Sequence, residues 1–281
     1  MPKYGFGKCI IFESMLNADE IQIIPTRDGS NTLFLAKMNE TYHSRHGALR
    51  EAMHVYLKMG LWRWVMRRQV MQREEGSLGE ALEGSEVRVL ELGFGTGMNA
   101  WLSRELTGLA GLSVWYTSLE QFPVPLEVLE KVELGFDRDW DLWEKWMGLK
   151  GDRPTAEMRR ASWWDLARLS YGGGCVRFDV GFDIAKIQGD AIQFFHDFAQ
   201  TGEKGYDVVF WDAFAPKKQP ELWTEELFVA VKEAMQPGGL LVTYTANGEV
   251  RRRMQRAGFE VERPVGPPGK REMLCAIKPK M

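Results

Sequence analysis

The sequence predicts an α/β protein built on one mainly parallel sheet. Three observations carry that prediction. From Val87 onward, short apolar runs alternate with helical stretches, the pattern of parallel strands joined by helical crossovers. The first run, Val87–Leu92, enters a glycine-rich turn that opens a helix. The last two strand candidates, around Phe259–Arg263 and Glu272–Ile277, are joined by a loop too short for a crossover, so they pair antiparallel.

The elements follow in order. Ile21 to Met38 holds two β-rich runs about Asp28-Gly29, a hairpin signal. Tyr42 to Met66 reads as helix, with apolar Leu49, Met53, Tyr56, Leu57 and Met59. The basic residues Arg63, Arg67, Arg68 and Arg73 lead into a polar, glycine-containing stretch that ends at Glu86. Residues 1–82 thus form an N-terminal extension to a main domain over 83–281, the two making one compact unit. After Val87–Leu92 come a helix over Met98–Leu106 and a strand over Val114–Leu119 that ends at Glu120. A Trp-rich interval over 140–164 has no assigned role. Val176–Val180 and Phe182–Ile187 form a hairpin about Gly181, followed by a helix through Phe198. Tyr206–Trp211 is a buried strand, Thr224–Met235 a helix, Gln236–Gly239 a turn and Leu240–Tyr244 a strand. Helix Gly248–Ala257 stops at Gly258, a natural C-cap.

Composition excludes several classes. With 281 residues the chain can bury a core without disulfide or metal staples. At 44% hydrophobic and 27% charged it is an ordinary globular sequence. Its net charge of −3 is unlike a general nucleic-acid coat protein, so an RNA partner must meet a local patch. Residues 248–281 offer one, with nine Lys or Arg against four Asp or Glu, although a solvated helix face explains the same pattern. Three scattered cysteines and four histidines show no zinc or HExxH spacing, so no metal is expected. The absence of a signal peptide or a long apolar run predicts a soluble, cytoplasmic protein without a membrane partner.

The chemistry concentrates at strand ends. Glu91-Leu92-Gly93-Phe94-Gly95-Thr96-Gly97-Met98-Asn99 has the spacing Gly-x-Gly-x-Gly behind an acid. The dinucleotide fingerprint needs Gly-x-Gly-x-x-Gly, and Met98 stands at its last position. A carboxylate beside the turn repels a pyrophosphate and suits a cationic amino acid, such as the methionine end of S-adenosylmethionine (SAM). Glu120 ends the next strand, where an acid can accept both ribose hydroxyls of a nucleoside, or simply face solvent. Asp190, in Gly189-Asp190-Ala191, either accepts from an adenine amine or N-caps a helix. Asp212 ends the strand Tyr206–Trp211. Four acids at strand ends on one sheet edge make SAM the leading ligand. The loop Asp212–Trp223 is stiffened by Pro216 and Pro220 and suits a nucleoside beside the cofactor, or a purely structural connection.

These residues resemble the methyltransferase part of the MnmC family, including its stand-alone members without the flavin oxidase domain. The resemblance runs from about Ile21 to Ile277, on ELGFGTGMN (91–99), SLEQFP (118–123), GDA (189–191), DAFAPKKQPELW (212–223), VRRRMQRAGF (250–259) and KREMLC (270–275). It implies a class I SAM-dependent methyltransferase fold, Rossmann-like, with seven strands and an antiparallel last pair. It also implies methylation of 5-aminomethyl-2-thiouridine at tRNA wobble position 34. Glu91, Gly93, Phe94, Gly95, Gly97, Glu120 and Asp190 would line the SAM pocket. Thr96, Asn99, Gln121 and Ala191, inside the same motifs, go to the same pocket. Tyr42 and Ser44, in the extension, would fold over the cofactor. Asp212 would sit between methyl donor and amine, as base or as binder. Phe214 would stack on a base; Lys217, Lys218, Arg251, Arg252, Lys270 and Arg271 would hold the anticodon stem-loop, with Arg253 and Arg256 beside them. No FAD is expected. Ala213, Gln219 and Gln121 depart from the family's usual Gly, Asn and Lys, which leaves SAM untouched and bears on substrate. Other readings compatible with the residues are methylation of another RNA site or of a small-molecule amine, aminopropyl transfer, and a silent SAM-binding RNA module. The oligomeric state is not legible.

Overall fold

The computed structural model describes residues 16–74, 85–138, 140–149, 154–172, 174–201, 203 and 205–280; for 71–74 and 140 it describes the backbone alone. The expected boundary at residue 82/83 and Cys9 lie outside these residues.

The main sheet has eight strands. In chain order they are β4 (Glu86–Leu92), β5 (Ser113–Glu120), β6 (Val176–Asp179), β7 (Phe182–Gln188), β8 (Tyr206–Trp211), β9 (Met235–Thr243), β10 (Glu260–Glu262) and β11 (Leu274–Ile277). Their order across the sheet is β10-β11-β9-β8-β4-β5-β7-β6. The five central strands are parallel, and β10, β11 and β6 pair antiparallel. The seven expected strands are thus present, and the hairpin arm β6 adds an eighth at one edge. The expected turn over 236–239 is absorbed into β9, whose pairing with β8 shifts register between Tyr206 and Val208. Gly238 and Gly239 lie in that irregular stretch and exchange hydrogen bonds with Lys278.

The chain leaves β4 for β5 and β7 on one side, then returns to β8 and β9 on the other. The strand order therefore reverses at β4, and a crevice opens outside the carboxyl ends of β4, β5 and β8, where open α/β sheets bind ligands. Helices α3 (Met98–Ala110), α7 (Ala191–Thr201), α8 (Glu225–Glu233) and α9 (Gly248–Arg256) are the crossovers. Thr224 and Asn247 cap α8 and α9 by accepting from backbone N–H groups of their first turns, as their residue types favour. Two apolar clusters cover the sheet's faces, one of them shared with the extension.

The extension begins with a small antiparallel sheet of β1 (Ile21–Pro25), β2 (Asn31–Leu35) and β3 (Glu40–Thr41). The hairpin turn is where the Asp-Gly pair predicted it. The buried Asp28 carboxylate accepts from Thr26 Oγ1, from Ser30 and from the Arg50 backbone N–H, which ties the turn to the following helix. That helix starts later than the sequence suggested and is not uniformly α. It runs as α1 (Ala48–Ala52), a π-helical segment over Met53–Trp62, and α2 (Arg63–Glu74). Residues 42–47 form a loop instead, because Gly47 takes φ 140° at the helix start.

The Trp-rich interval forms two helices, α5 (Trp140–Met147) and α6 (Ala156–Ala167), after the short α4 (Leu126–Leu129). Trp143 and Trp163 are fully buried, so the interval is core. Among the described residues no helix is long and apolar enough to cross a membrane.

Candidate active site

The turn after β4 is built by its glycines. Gly93, Gly95 and Gly97 all have positive φ, at 93°, 52° and 73°. A Cβ on Gly93 would stand 2.9 Å from the Asp212 carbonyl oxygen, and one on Gly95 3.0 Å from the Tyr42 ring. The first contact is with backbone, which cannot give. The turn therefore lies tight against both β8's end and the extension.

A cavity of about 570 Å³ opens here, within the range of small-molecule sites. Gly93, Phe94, Gly95, Glu120, Gln121, Gly189 and Ala191 line it from the strand ends. Asp212, Phe214, Lys218 and Leu222 line it from the loop after β8, and Leu35, Met38, Tyr42 and His43 from the extension. Tyr42 meets Phe214 edge-on at 5.0 Å between ring centroids, so the two walls touch. Ser44 is not a lining residue; its backbone N–H donates to Glu51 and its hydroxyl accepts from His46 N–H.

The four acids stand at the carboxyl ends of four adjacent strands. Glu91 is wholly buried behind the turn, and Ser118, its register partner on β5, donates to Oε2 at 2.6 Å. The Asn99 and Tyr116 side chains also lie against the Glu91 carboxylate and favour its ionised form. Burial pushes the Glu91 carboxyl up to about 8, against the opposing hydrogen bond from Ser118. Glu120 accepts from Gly95 N–H at 3.1 Å and Phe122 N–H at 2.9 Å, and burial raises it against those backbone dipoles. Asp190 accepts from Gln193 N–H at 3.0 Å, which makes it the N-cap of α7 between two cavity-lining neighbours. Asp212 faces the cavity, taking Tyr56 Oη at 2.5 Å on Oδ1 and Asn99 Nδ2 at 2.9 Å on Oδ2. Burial pushes it up to about 8, with Tyr56 pulling the other way.

These features suit an amino-acid-bearing nucleoside. Glu91 does not itself line the cavity but stands buried directly behind the lining turn, as a nearby negative charge when ionised. The turn gives backbone access without Cβ atoms, and Glu120 keeps lone pairs beyond its two backbone donors. Thr96, Gly97 and Asn99 lie behind the wall: Thr96 and Asn99 are buried, Gly97 packs on the Phe94 ring, and Asn99 reaches the site through Asp212.

Sequence reasoning missed the braces. Trp163 Nε1 donates to the Thr96 carbonyl at 2.9 Å, so the Trp-rich interval holds the glycine turn. Lys186, on β7, lies buried between the Phe94 and Tyr171 rings at 4.1 and 4.3 Å and donates to the Ala167 carbonyl. Burial lowers its ammonium to about 8. No local pattern marks either contact, since each joins elements distant in sequence. Gln219 Oε1 accepts from Phe214 N–H at 2.9 Å and so shapes the loop.

The basic residues divide. Lys217, Lys218 and Arg271 are exposed. Arg252 is bonded to Glu249, Arg253 to the Trp223 carbonyl, and Arg256 to Glu225, while Arg251 is half-buried. Lys270 is half-buried, bonded to Glu51 at 2.6 Å and placed over the Tyr244 ring. Lys270 therefore fastens the extension to the C-terminal strand pair, the opposite end of the chain.

Residues 173–279 match the model of a family described as S-adenosyl-L-methionine-dependent methyltransferase. The tRNA 5-methylaminomethyl-2-thiouridine biosynthesis bifunctional protein MnmC of Marinobacter nauticus is 29% identical over 255 residues, 87% of this chain and 35% of its own length. The chain thus spans about a third of that relative. The crystal structure of MNMC2 from Aquifex aeolicus superposes with a TM-score of 0.64 at 24% identity, over 93% of this chain and 72% of that one, and so shares the fold. Residues 173–279 thus carry a match to the S-adenosyl-L-methionine-dependent methyltransferase family, and the chain is similar to MnmC along most of its length.

Proposed function

We propose that this enzyme methylates the exocyclic amine of 5-aminomethyl-2-thiouridine at wobble position 34 of tRNA. One observation carries the reading: Asp212 stands at the seam of the cavity, between the SAM-type strand ends and an aromatic loop wall headed by Phe214. The kinship with MnmC supports the choice of tRNA.

Gly93 to Gly95, Glu120, Gln121, Gly189 and Ala191 would hold SAM, with Glu91 and Asp190 behind this lining and Tyr42 closing over Gly95. Bound SAM supplies an electrophilic methyl group. What the protein must add is a neutral amine held in line. An alkylammonium keeps its proton to about pH 10, and an ordinary Asp, near 4, is a poor match for it. Once ionised, which an approaching ammonium favours, Asp212 at about 8 is within roughly two units of the amine and takes its proton at modest cost. Its two fixed donors hold the carboxylate in one orientation, which aligns the amine. Phe214 offers a face for a splayed-out base, and Lys217 and Lys218 lie beside it for phosphates. The absence of FAD and metal chemistry is part of this proposal.

Mass spectrometry of tRNA nucleosides from cells lacking this protein tests it. Accumulation of the unmethylated aminomethyl nucleoside is expected; an unchanged nucleoside profile would overturn the assignment.

A further inference from the structure

Tyr56 sits 1% exposed in the π-helical segment, and its ring packs against Phe210 of β8 at 5.3 Å between centroids. The segment lies directly on the sheet: a Cβ on Gly60 would come within 2.9 Å of Val242 and 3.0 Å of Phe210. That approach brings the Tyr56 hydroxyl to Asp212 Oδ1 at 2.5 Å. Asn99, from α3, holds the other oxygen at 2.9 Å. A carboxylate has about four lone-pair sites, so two stay open toward the cavity. With each oxygen bound from a different element, the carboxylate cannot rotate without breaking a buried hydrogen bond.

From this geometry we infer that Tyr56 is a positioning residue for methyl transfer, delivered by the π segment to hold Asp212 in its amine-accepting orientation and to stabilise its ionised form. The inference rests on the reading of Asp212 given above. The extension is therefore a structural part of the catalytic apparatus and more than a cover. The other charged or titratable groups around Asp212 are Glu51 from α1, Glu91 from β4, Tyr116 from β5, Tyr244 after β9 and Lys270 before β11. Of these, Glu51 and Glu91 oppose its ionisation and Lys270 favours it. Among the described residues, Tyr56 and Asn99 are its side-chain hydrogen-bond donors.

The test follows Asp212 by carbon-13 NMR of labelled carboxylates, assigned with Asp212→Asn, alongside the pH profile of kcat/KM. Tyr56→Phe keeps the ring and removes the donor. It should raise the Asp212 midpoint by about one unit, the scale of a lost hydrogen bond to a charged group. The acid limb of kcat/KM should move with it, with SAM affinity changed less than twofold. Site-specific 3-fluorotyrosine at position 56, a stronger donor in a nearly unchanged volume, should move both downward, and it serves if Tyr56→Phe does not fold. An unmoved midpoint in the folded variants overturns the inference, as does a pH-independent loss of activity matched by lost SAM binding. A shifted midpoint with no methylation of the amine nucleoside by the wild type overturns the proposed function instead and leaves this inference standing.

Discussion

Asn99, in the first turn of α3, donates its side-chain amide to Asp212 Oδ2 at 2.9 Å. The helix opened by the glycine turn thus touches the acid that ends β8, and the proposed cofactor motif and proposed chemical centre share one hydrogen bond. The expected consequence is coupling. Asn99→Ala should lower kcat by about tenfold or more, through a misoriented Asp212, with a smaller effect on SAM affinity. Single-turnover kinetics beside calorimetry measure the two separately; equal losses in both would argue against the coupling.

Replacing Asp212 by Asn keeps the size and removes the proton acceptor. A drop in kcat of about 10²–10⁴ is expected, the usual worth of a positioned base, with SAM binding retained. A variant with wild-type kcat and KM on amine-bearing tRNA would remove Asp212 from the chemistry.

Stability should fall as pH rises toward 8. Glu91 and Asp212 are pushed up to about 8 from ordinary values of 4.5 and 3.8. The folded SAM-free protein therefore holds protons that the unfolded chain has released. This contribution is fully present below about pH 4 and is lost as pH passes through about 8, by at most about 1.4 kcal/mol per unit for each acid. Burial lowers His43 and His54, whose opposite contribution is complete by about pH 6.5. Between pH 6.5 and 8 the acids dominate, so the denaturation midpoint should decline across that window, and less steeply with SAM present. A midpoint that rises there would contradict the assignment.

The glycine turn was legible because its signal is local. A left-handed turn needs glycine, and Gly93, Gly95 and Gly97 all take positive φ. The acids were legible because strand ends are visible in the pattern. Tyr56 was not: it read as one more apolar position in a helix, and only the π segment resting on Gly60 gives it a role. Nor was Trp163, whose partner Thr96 lies 67 residues away. Lys270 shows the converse error of local reading, since a lysine in a basic stretch turns out bonded to the buried Glu51.

Trp163→Phe tests the brace beneath the turn. It removes the Nε1 donor to Thr96 and leaves most of the ring, so a stability loss of about 1 kcal/mol is expected. SAM affinity should weaken several-fold with it. Unchanged affinity by calorimetry would show that the brace does not reach the site.

Salt and charge separate the basic residues. Lys217→Glu with Lys218→Glu should weaken tRNA binding and lower the salt slope by roughly one to two ions, given about 0.7–0.9 per phosphate contact. Arg252→Glu should do less, because Glu249 already holds that guanidinium. Filter binding across salt concentrations decides this, and equal effects would return α9 to the interface.

The most direct measurement is a reaction of purified protein with SAM carrying a deuterated methyl group and tRNA bearing the aminomethyl-thiouridine. Digestion and mass spectrometry should find the deuterated methyl on the exocyclic amine at position 34 with the wild type, and none with Asp212→Asn. Label on a different nucleoside, or on free amines alone, would contradict the account.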